Sequence, residues 1–336
     1  MNWVQLLFSD PLALKKQLHR AHKATGKAEP LVLMDMIGCA VKYGASPSDY
    51  TLFGMYEMNG EQREKVLTTQ KNAAYIHTLN RKEYRHFFTH KTEFLTLFAE
   101  EIGREYLDLN QATSDEFLAF ARRHPIVMVK PEGGNLGENI EKLNTDDHDS
   151  CVTLYNTLKT GNQTLIEEVL EQHPALNELY PHAVNTLRAV TMLDEEGQPH
   201  LLFAALRVGS GGLAVDNLKA GGLVVPISLE KGTLTEFAVN RKGEVFPAHP
   251  DTEVSFGGVS VPLWEECCAL ALKAAVKVPG IRLAGWDIAV TPERPVLVEG
   301  NCFPEHELYQ LAPKAPEERG FLPVFDRVVP YSTLRK

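Results

Sequence analysis

Residues 285–301 read GWDIAVTPERPVLVEGN, two strongly apolar runs separated by a polar turn bounded by Pro292 and Pro295. Such a pattern predicts an antiparallel β-hairpin. With Thr291 to Pro295 as the loop, Val290 is expected opposite Val296, which brings Asp287 opposite Glu299 on one face. Glu299 and Asn301 are two apart on a strand and so share that face. Two carboxylates and an amide oxygen are hard ligands suited to Mg²⁺, which keeps waters and takes further oxygens from phosphates. A hairpin with one solvated polar face is the plain alternative, and the hairpin alone does not choose between them. What favours the metal is a carboxylate closing an apolar strand beside Gly300, which allows a backbone to come close.

Upstream, Pro125-Ile126-Val127-Met128-Val129-Lys130-Pro131 is a buried-strand pattern that delivers a lysine into Glu132-Gly133-Gly134-Asn135-Leu136-Gly137. Backbone N–H groups of such a loop can cradle phosphate oxygens, with Lys130 as a point charge. A surface lysine on a glycine-rich turn is the competing reading. Leu165-Ile166-Glu167-Glu168-Val169-Leu170 is an apolar strand broken by adjacent acids, fit to receive an adenine edge on its backbone or to turn one glutamate to solvent. Neither GxxxxGK[ST] nor GxGxxG occurs, which excludes the common phosphate loops.

Around these motifs the chain reads as mixed α+β. Residues 1–88 are expected to be largely helical, with apolar spacing at Leu12, Leu14 and Leu18 and again through Val66 and Leu67. A helix is expected from about Thr92 to Gly103, where Phe94, Leu95, Leu97 and Phe98 recur at helical spacing, then a short strand from Glu105 to Leu109. Ser114 is read as an N-cap with no capping box, because Phe117 stands three residues on. A helix near Cys151 to Leu158 precedes the strand Thr164 to Leu170. Antiparallel strands are then expected at Thr186–Leu193, Leu201–Val208, Gly222–Ile227, Trp286–Thr291 and Val296–Glu299, with one helix from about Leu263 to Val278.

The 336 residues, 44% hydrophobic and 23% charged, have ordinary globular composition and room for two domains or three packed subdomains. No apolar run approaches the ~18 residues that span a bilayer, so no membrane partner is expected. The N-terminus has no basic segment ahead of its apolar stretch and no small-residue cleavage site, which points to the cytoplasm. Five cysteines without metal-type spacing read as reduced structural thiols. A net charge of −10 without a basic run argues against nucleic acid, and it requires any nucleotide site to carry its own cations and a metal.

Lys91, Lys130 in VMVKP, the loop EGGNLGEN, the strand LIEEVL and the hairpin GWDIAV…VLVEGN occur in the order and approximate spacing of ATP-grasp enzymes, and the chain over residues 88–310 resembles that superfamily. Asn185-Thr186-Leu187-Arg188 resembles the D-x-R strand of ligases that add amino acids to ribosomal proteins or carriers, with Asn at the Asp position. Arg207…Asn217-Leu218-Lys219-Ala220-Gly221-Gly222 resembles their R…N-x-x-G-G stretch. With GASPSDY from Gly44 and HPDT from His249, the whole is most similar to the sugar-transfer-associated ATP-grasp group.

The resemblance implies two α+β subdomains, 89–170 and 171–336, that sandwich ATP. It places Lys91, Lys130, Gly133 and Gly134 on the phosphates, Glu167, Glu168, Val169 and Leu170 at the adenine, and Glu171 or His173 at the ribose. Arg188, Arg207 and Lys219 would act on the transferring phosphoryl group. Asp287, Glu299 and Asn301 would hold Mg²⁺, with Mn²⁺ as the alternative. The implied reaction joins a small-molecule or peptide carboxylate to an amine through an acyl-phosphate, in a monomer or an oligomer. An ATP-grasp kinase acting on a hydroxyl or sugar and a non-catalytic nucleotide-binding subunit are the other readings. No general base is identifiable; His173, His249 and His306 read as structural or surface residues.

Overall fold

The computed structural model describes residues 10–131, 140–145, 148–311 and 319–334. Two antiparallel sheets organise it. The smaller has four strands, β1 (Tyr106–Asp108), β2 (Ile126–Lys130), β3 (Glu141–Asn144) and β4 (Leu165–Glu168), in the order β1-β4-β2-β3. The larger has seven, β5 (Thr186–Leu193), β6 (Pro199–Val208), β7 (Leu223–Pro226), β8 (Ala238–Val239), β9 (Val245–Phe246), β10 (Leu283–Val290) and β11 (Pro295–Asn301), in the order β11-β10-β5-β6-β7-β8-β9.

Alternation along each strand divides the side chains between a packed face and a working face. In the smaller sheet Val127, Val129 and Ile166 pack beneath the helices Ser114–Arg123 and His148–Thr160 with Phe117, Phe120 and Tyr155. Met128, Lys130 and Glu167 therefore point the other way. In the larger sheet Leu187, Ala189, Ala204, Leu206 and Trp286 join the main core, which includes the helix Trp264–Ala275. The opposite face carries Val190, Met192, Phe203, Ala205 and Leu283, covered by the helix Thr69–Leu79 and by Tyr309, Phe321 and Phe325. Arg188, Arg207 and Asp287 continue this second face beyond its apolar cover.

The N-terminal region is helical. Helices Pro11–Thr25, Glu29–Tyr43 and Pro47–Leu52 close around Met36, Tyr50, Phe53 and Met55. Asp10 caps the first helix by accepting from the backbone N–H groups of Leu12 and Ala13, and left-handed Gly26 ends it. Leu14 and Leu18 pack inward while Leu12 faces out. Among the described residues no helix is long and apolar enough to cross a membrane.

The structure corrects several expectations. Val66 and Leu67 are buried in an irregular link between helices, not within one. The N-cap of Ser114–Arg123 is Thr113, and Glu116 then falls three residues on, forming the capping box that a cap at Ser114 would have lacked. The helix expected from Thr92 to Gly103 is interrupted at Phe98 into Lys91–Leu97 and Ala99–Ile102. In the hairpin Val290 pairs with Pro295 and Ala289 with Val296; a bulge between Asp287 and Ile288 then restores the Asp287–Glu299 pairing.

Candidate functional site

Both working faces line one cleft of about 660 Å³. Lys91, Lys130, Glu167, Glu168, Val169 and Leu170 contribute from the smaller-sheet side, and Arg188, Arg207, Glu299 and Asn301 from the larger sheet. A cavity of this size holding convergent charged groups in a partly apolar wall is the form of a small-molecule site.

Asp287 is buried beneath the cleft and does not itself line it; it sits at the register where β10 meets β5, directly paired with Arg188. The arginine fork closes on it, Nε donating to Oδ1 at 2.5 Å and Nη2 to Oδ2 at 3.0 Å. Arg207 adds a third contact, Nη1 to Oδ2 at 3.1 Å. Burial opposes ionisation of Asp287, but Arg188 and then Arg207 hold its carboxyl below the ordinary range. Glu299 stands opposite on β11 and opens to the cleft while remaining hemmed in by protein. Burial, and next the Asp287 carboxylate within hydrogen-bonding reach, push Glu299 well above the ordinary range. Asn301 follows at the strand end, its Oδ1 accepting from the Phe303 backbone N–H at 2.7 Å.

On the other wall Lys130 Nζ and Arg104 Nε both donate to Glu167 Oε2, each at 2.7 Å. Burial works against the charged form of Glu167, but Arg104 and Lys130 outweigh it and hold the acid down at about 2. Arg104 also donates to the carbonyls of Leu297 (2.7 Å) and Val298 (3.1 Å), which binds the smaller sheet to the hairpin. The Glu167 side chain is thus held by these two cations, and Glu167, Glu168, Val169 and Leu170 all line the cleft, while the Glu168 carboxylate accepts from the Glu105 backbone N–H at 3.0 Å. Lys91 Nζ donates to the Pro131 carbonyl at 2.6 Å, at the foot of the glycine loop.

Glu171 and His173 do not line the cleft. His173 Nδ1 accepts from the Ala175 backbone N–H at 3.2 Å and caps the short helix Pro174–Asn177. Gly133, Gly134 and the Lys219 side chain lie outside the described residues. His249 is buried with Nε2 at 2.8 Å from the Gly209 carbonyl, and His306 is buried against Asp49.

Three residues to which the motifs gave no role complete the site. Arg104 is one; its partner Glu167 is 63 residues away and nothing local announces it. Asp216 is another, accepting from Arg207 Nη2 at 3.0 Å and from the Thr186 backbone N–H at 2.9 Å. Thr186 is the third, with Arg207 Nε at 3.2 Å from its hydroxyl. The available signal was the lone acid preceding Asn217 in the apolar sequence Leu213-Ala214-Val215-Asp216.

The family model described as sugar-transfer associated ATP-grasp matches residues 70–318. No curated protein matches significantly. Solved structures similar to the chain include an ATP-grasp ligase, PsnB, complexed with minimal precursor, at 13% identity over 75% of this chain and 64% of that one, TM-score 0.46. N5-carboxyaminoimidazole synthase from Aspergillus clavatus is 12% identical over 66% of this chain and 46% of that one, TM-score 0.41. D-alanyl-alanine synthetase A from Vibrio cholerae is 14% identical over 73% and 60%, TM-score 0.40. The chain therefore spans less than two thirds of the length of each of these proteins.

Proposed function

The chain belongs to the sugar-transfer associated ATP-grasp family, and on that premise we propose that its cleft binds Mg-ATP and joins a carboxylate to an amine through an acyl-phosphate. Residues 89–170 and 171–336 form the two subdomains of the nucleotide site in this reading. The observation that carries it is the pairing of Arg188 and Arg207 around buried Asp287, with Glu299 opposite it on β11 and open to the cleft. A cationic floor next to a hard-oxygen cluster is what a transferring phosphoryl group requires.

The donor set fits a magnesium ion. Asp287, Glu299 and Asn301 supply carboxylate and amide oxygens from adjoining strands without sulfur or imidazole. These three residues would hold the ion, and it would neutralise charge on the nucleotide phosphates when bound. Mn²⁺, which accepts the same oxygens, is the alternative. Lys91 and Lys130 approach the phosphates, adenine lies along Glu167 to Leu170, and Arg188 and Arg207 stabilise charge on the transferring group. Lys219, in the stretch after Asp216 and Asn217, joins them. The carboxylate oxygen attacks the terminal phosphorus and ADP leaves; the amine nitrogen then attacks the acyl carbon, phosphate leaves, and the amine proton passes to solvent. The substrates are a small-molecule or peptide carboxylate and an amine, and the reaction needs neither nucleic acid nor membrane.

The test is ATP turnover with Mg²⁺ against a panel of amino acids, peptides and amino sugars, following ADP, AMP and phosphate, with Asp287→Asn and Glu299→Gln as controls. ADP and phosphate that require both a carboxylate and an amine, and vanish in the controls, are expected. A stable phosphorylated product formed without an amine would establish a kinase instead. Failure of the chain to bind nucleotide would sink the reading.

A further inference from the structure

Arg207 is shared between two carboxylates, and its attachments to them are unequal. Toward Asp287 it makes one contact, Nη1 to Oδ2 at 3.1 Å, on an acid whose two oxygens the Arg188 fork already occupies. Toward Asp216 it offers Nη2 to Oδ1 at 3.0 Å and Nε to Oδ2 at 3.4 Å, with Nε also 3.2 Å from the Thr186 hydroxyl. Asp216 is itself pinned, since its Oδ2 accepts from both the backbone N–H and the hydroxyl of Thr186, the first residue of β5. Arg207, Asp216 and Thr186 all line the cleft.

A divalent cation held by Asp287 and Glu299 would compete with both arginines for the Asp287 oxygens, and its charge would repel them. Arg188, held by a bidentate fork, keeps the stronger grip. Arg207 has the single contact to give up, and its opposite edge cannot follow because Asp216 and Thr186 retain it. We propose that Asp216, seated on Thr186, is a positioning residue that anchors Arg207 while Nη1 turns from Asp287 to the terminal phosphate of the bound nucleotide. Without Asp216 the guanidinium has Asp287 as its remaining carboxylate partner of this pair and stays there, in competition with the metal. This rests on the Mg-ATP reading of the cleft.

The test is the ratio of affinities for Mg-AMPPNP and Mg-ADP, measured by calorimetry on the full chain. It isolates the terminal phosphate and requires no knowledge of the acceptor. Asp216→Asn is expected to lower that ratio about tenfold, the worth of one charge-assisted contact, with ADP affinity little changed. Arg207→Lys should lower it similarly, and the double variant should lose little more, because the two residues act as one unit. If Asp216→Asn does not fold, Thr186→Val removes the hydroxyl on which Asp216 sits and should move the ratio the same way. An unchanged ratio in the folded variant, equal weakening of both nucleotides, or additive losses in the double variant would each overturn the anchoring role. Wild-type protein that binds neither nucleotide would overturn the Mg-ATP reading itself, an outcome distinct from an unchanged ratio.

Discussion

Asp49 and His306 are 257 residues apart in the chain and 2.9 Å apart in space, the imidazole Nε2 against the carboxylate Oδ1 in a buried setting. The same carboxylate accepts from the backbone N–H groups of Ser46 and Thr69, both at 2.8 Å. One acid thereby caps the helix Pro47–Leu52, fixes the start of Thr69–Leu79 and grips the segment that follows the hairpin. Asn72 reinforces the grip, its Nδ2 donating to the Pro304 carbonyl at 3.2 Å. Since Phe303, Glu305 and Leu308 of this segment line the cleft, the N-terminal helices hold up one of its walls.

Removing the imidazole should therefore destabilise the whole chain. His306→Ala leaves Asp49 buried with fewer partners and is expected to cost about 3 kcal/mol, read from the urea midpoint at neutral pH. Burial opposes ionisation of Asp49, but His306 and the two backbone donors hold its pKa below the usual value. Its contribution is thus present above the ordinary carboxylate pKa of about 3.9 and fades as pH falls through the lower folded value. A variant as stable as the wild type would show that the wall stands without this pair.

Glu167 offers a second titration. Replacing it by Gln strands Arg104 and Lys130 beside a neutral group, at an expected cost of about 3 kcal/mol near pH 7. The folded acid is held down at about 2 and the unfolded one titrates near 4.3. The wild type should lose its advantage over Glu167→Gln progressively from about pH 4.5 toward pH 2. Parallel stability curves for the two proteins across that range would contradict the assignment of the low pKa to this pair.

The strands were legible because an apolar run of period two can be counted in one dimension. Thr186–Leu193 emerged at the expected bounds, and β10 and β11 differ from expectation only at their ends. The bulge after Asp287 was not legible, for nothing in the composition of the hairpin says where an extra residue is absorbed. Strands β8 and β9 have two residues each, too few for any period to show. The Thr113 capping box was readable and was displaced by one residue, because serine and threonine stand side by side as equally good caps. Within the cleft, Lys130, Glu299 and Asn301 were visible as charged or amide groups ending apolar strands, and Arg188 and Arg207 through the resemblance of their stretches to the ligase motifs. Arg104 and Asp216 were not, since their meaning lies in partners that only the fold brings near.

Gly38 and Gly300 make opposite predictions from the same substitution. Gly38 sits in the helix Glu29–Tyr43, and a Cβ there meets nothing within 4 Å. Gly38→Ala should stabilise the chain by about 0.5–1 kcal/mol, since alanine gives up less backbone freedom in a helix.

At Gly300, between Glu299 and Asn301 on β11, an added Cβ would come within 2.8 Å of both Phe88 Cε1 and Phe94 Cε2. Those rings pack against Phe98 and Trp286, which are fully buried, so an added Cβ must push the rings toward the cleft or move the strand itself. Sequence reading assigned this glycine to the close approach of a backbone; the structure assigns it to aromatic packing beneath the proposed metal ligands. Gly300→Ala should cost about 1–3 kcal/mol by overpacking. Either movement disturbs the cleft beside Glu299 and Asn301, so that Mg-ADP should raise the melting temperature less than in the wild type. If stability falls while the Mg-ADP shift is unchanged, the glycine serves the core alone and the two side chains beside it hold their places without it.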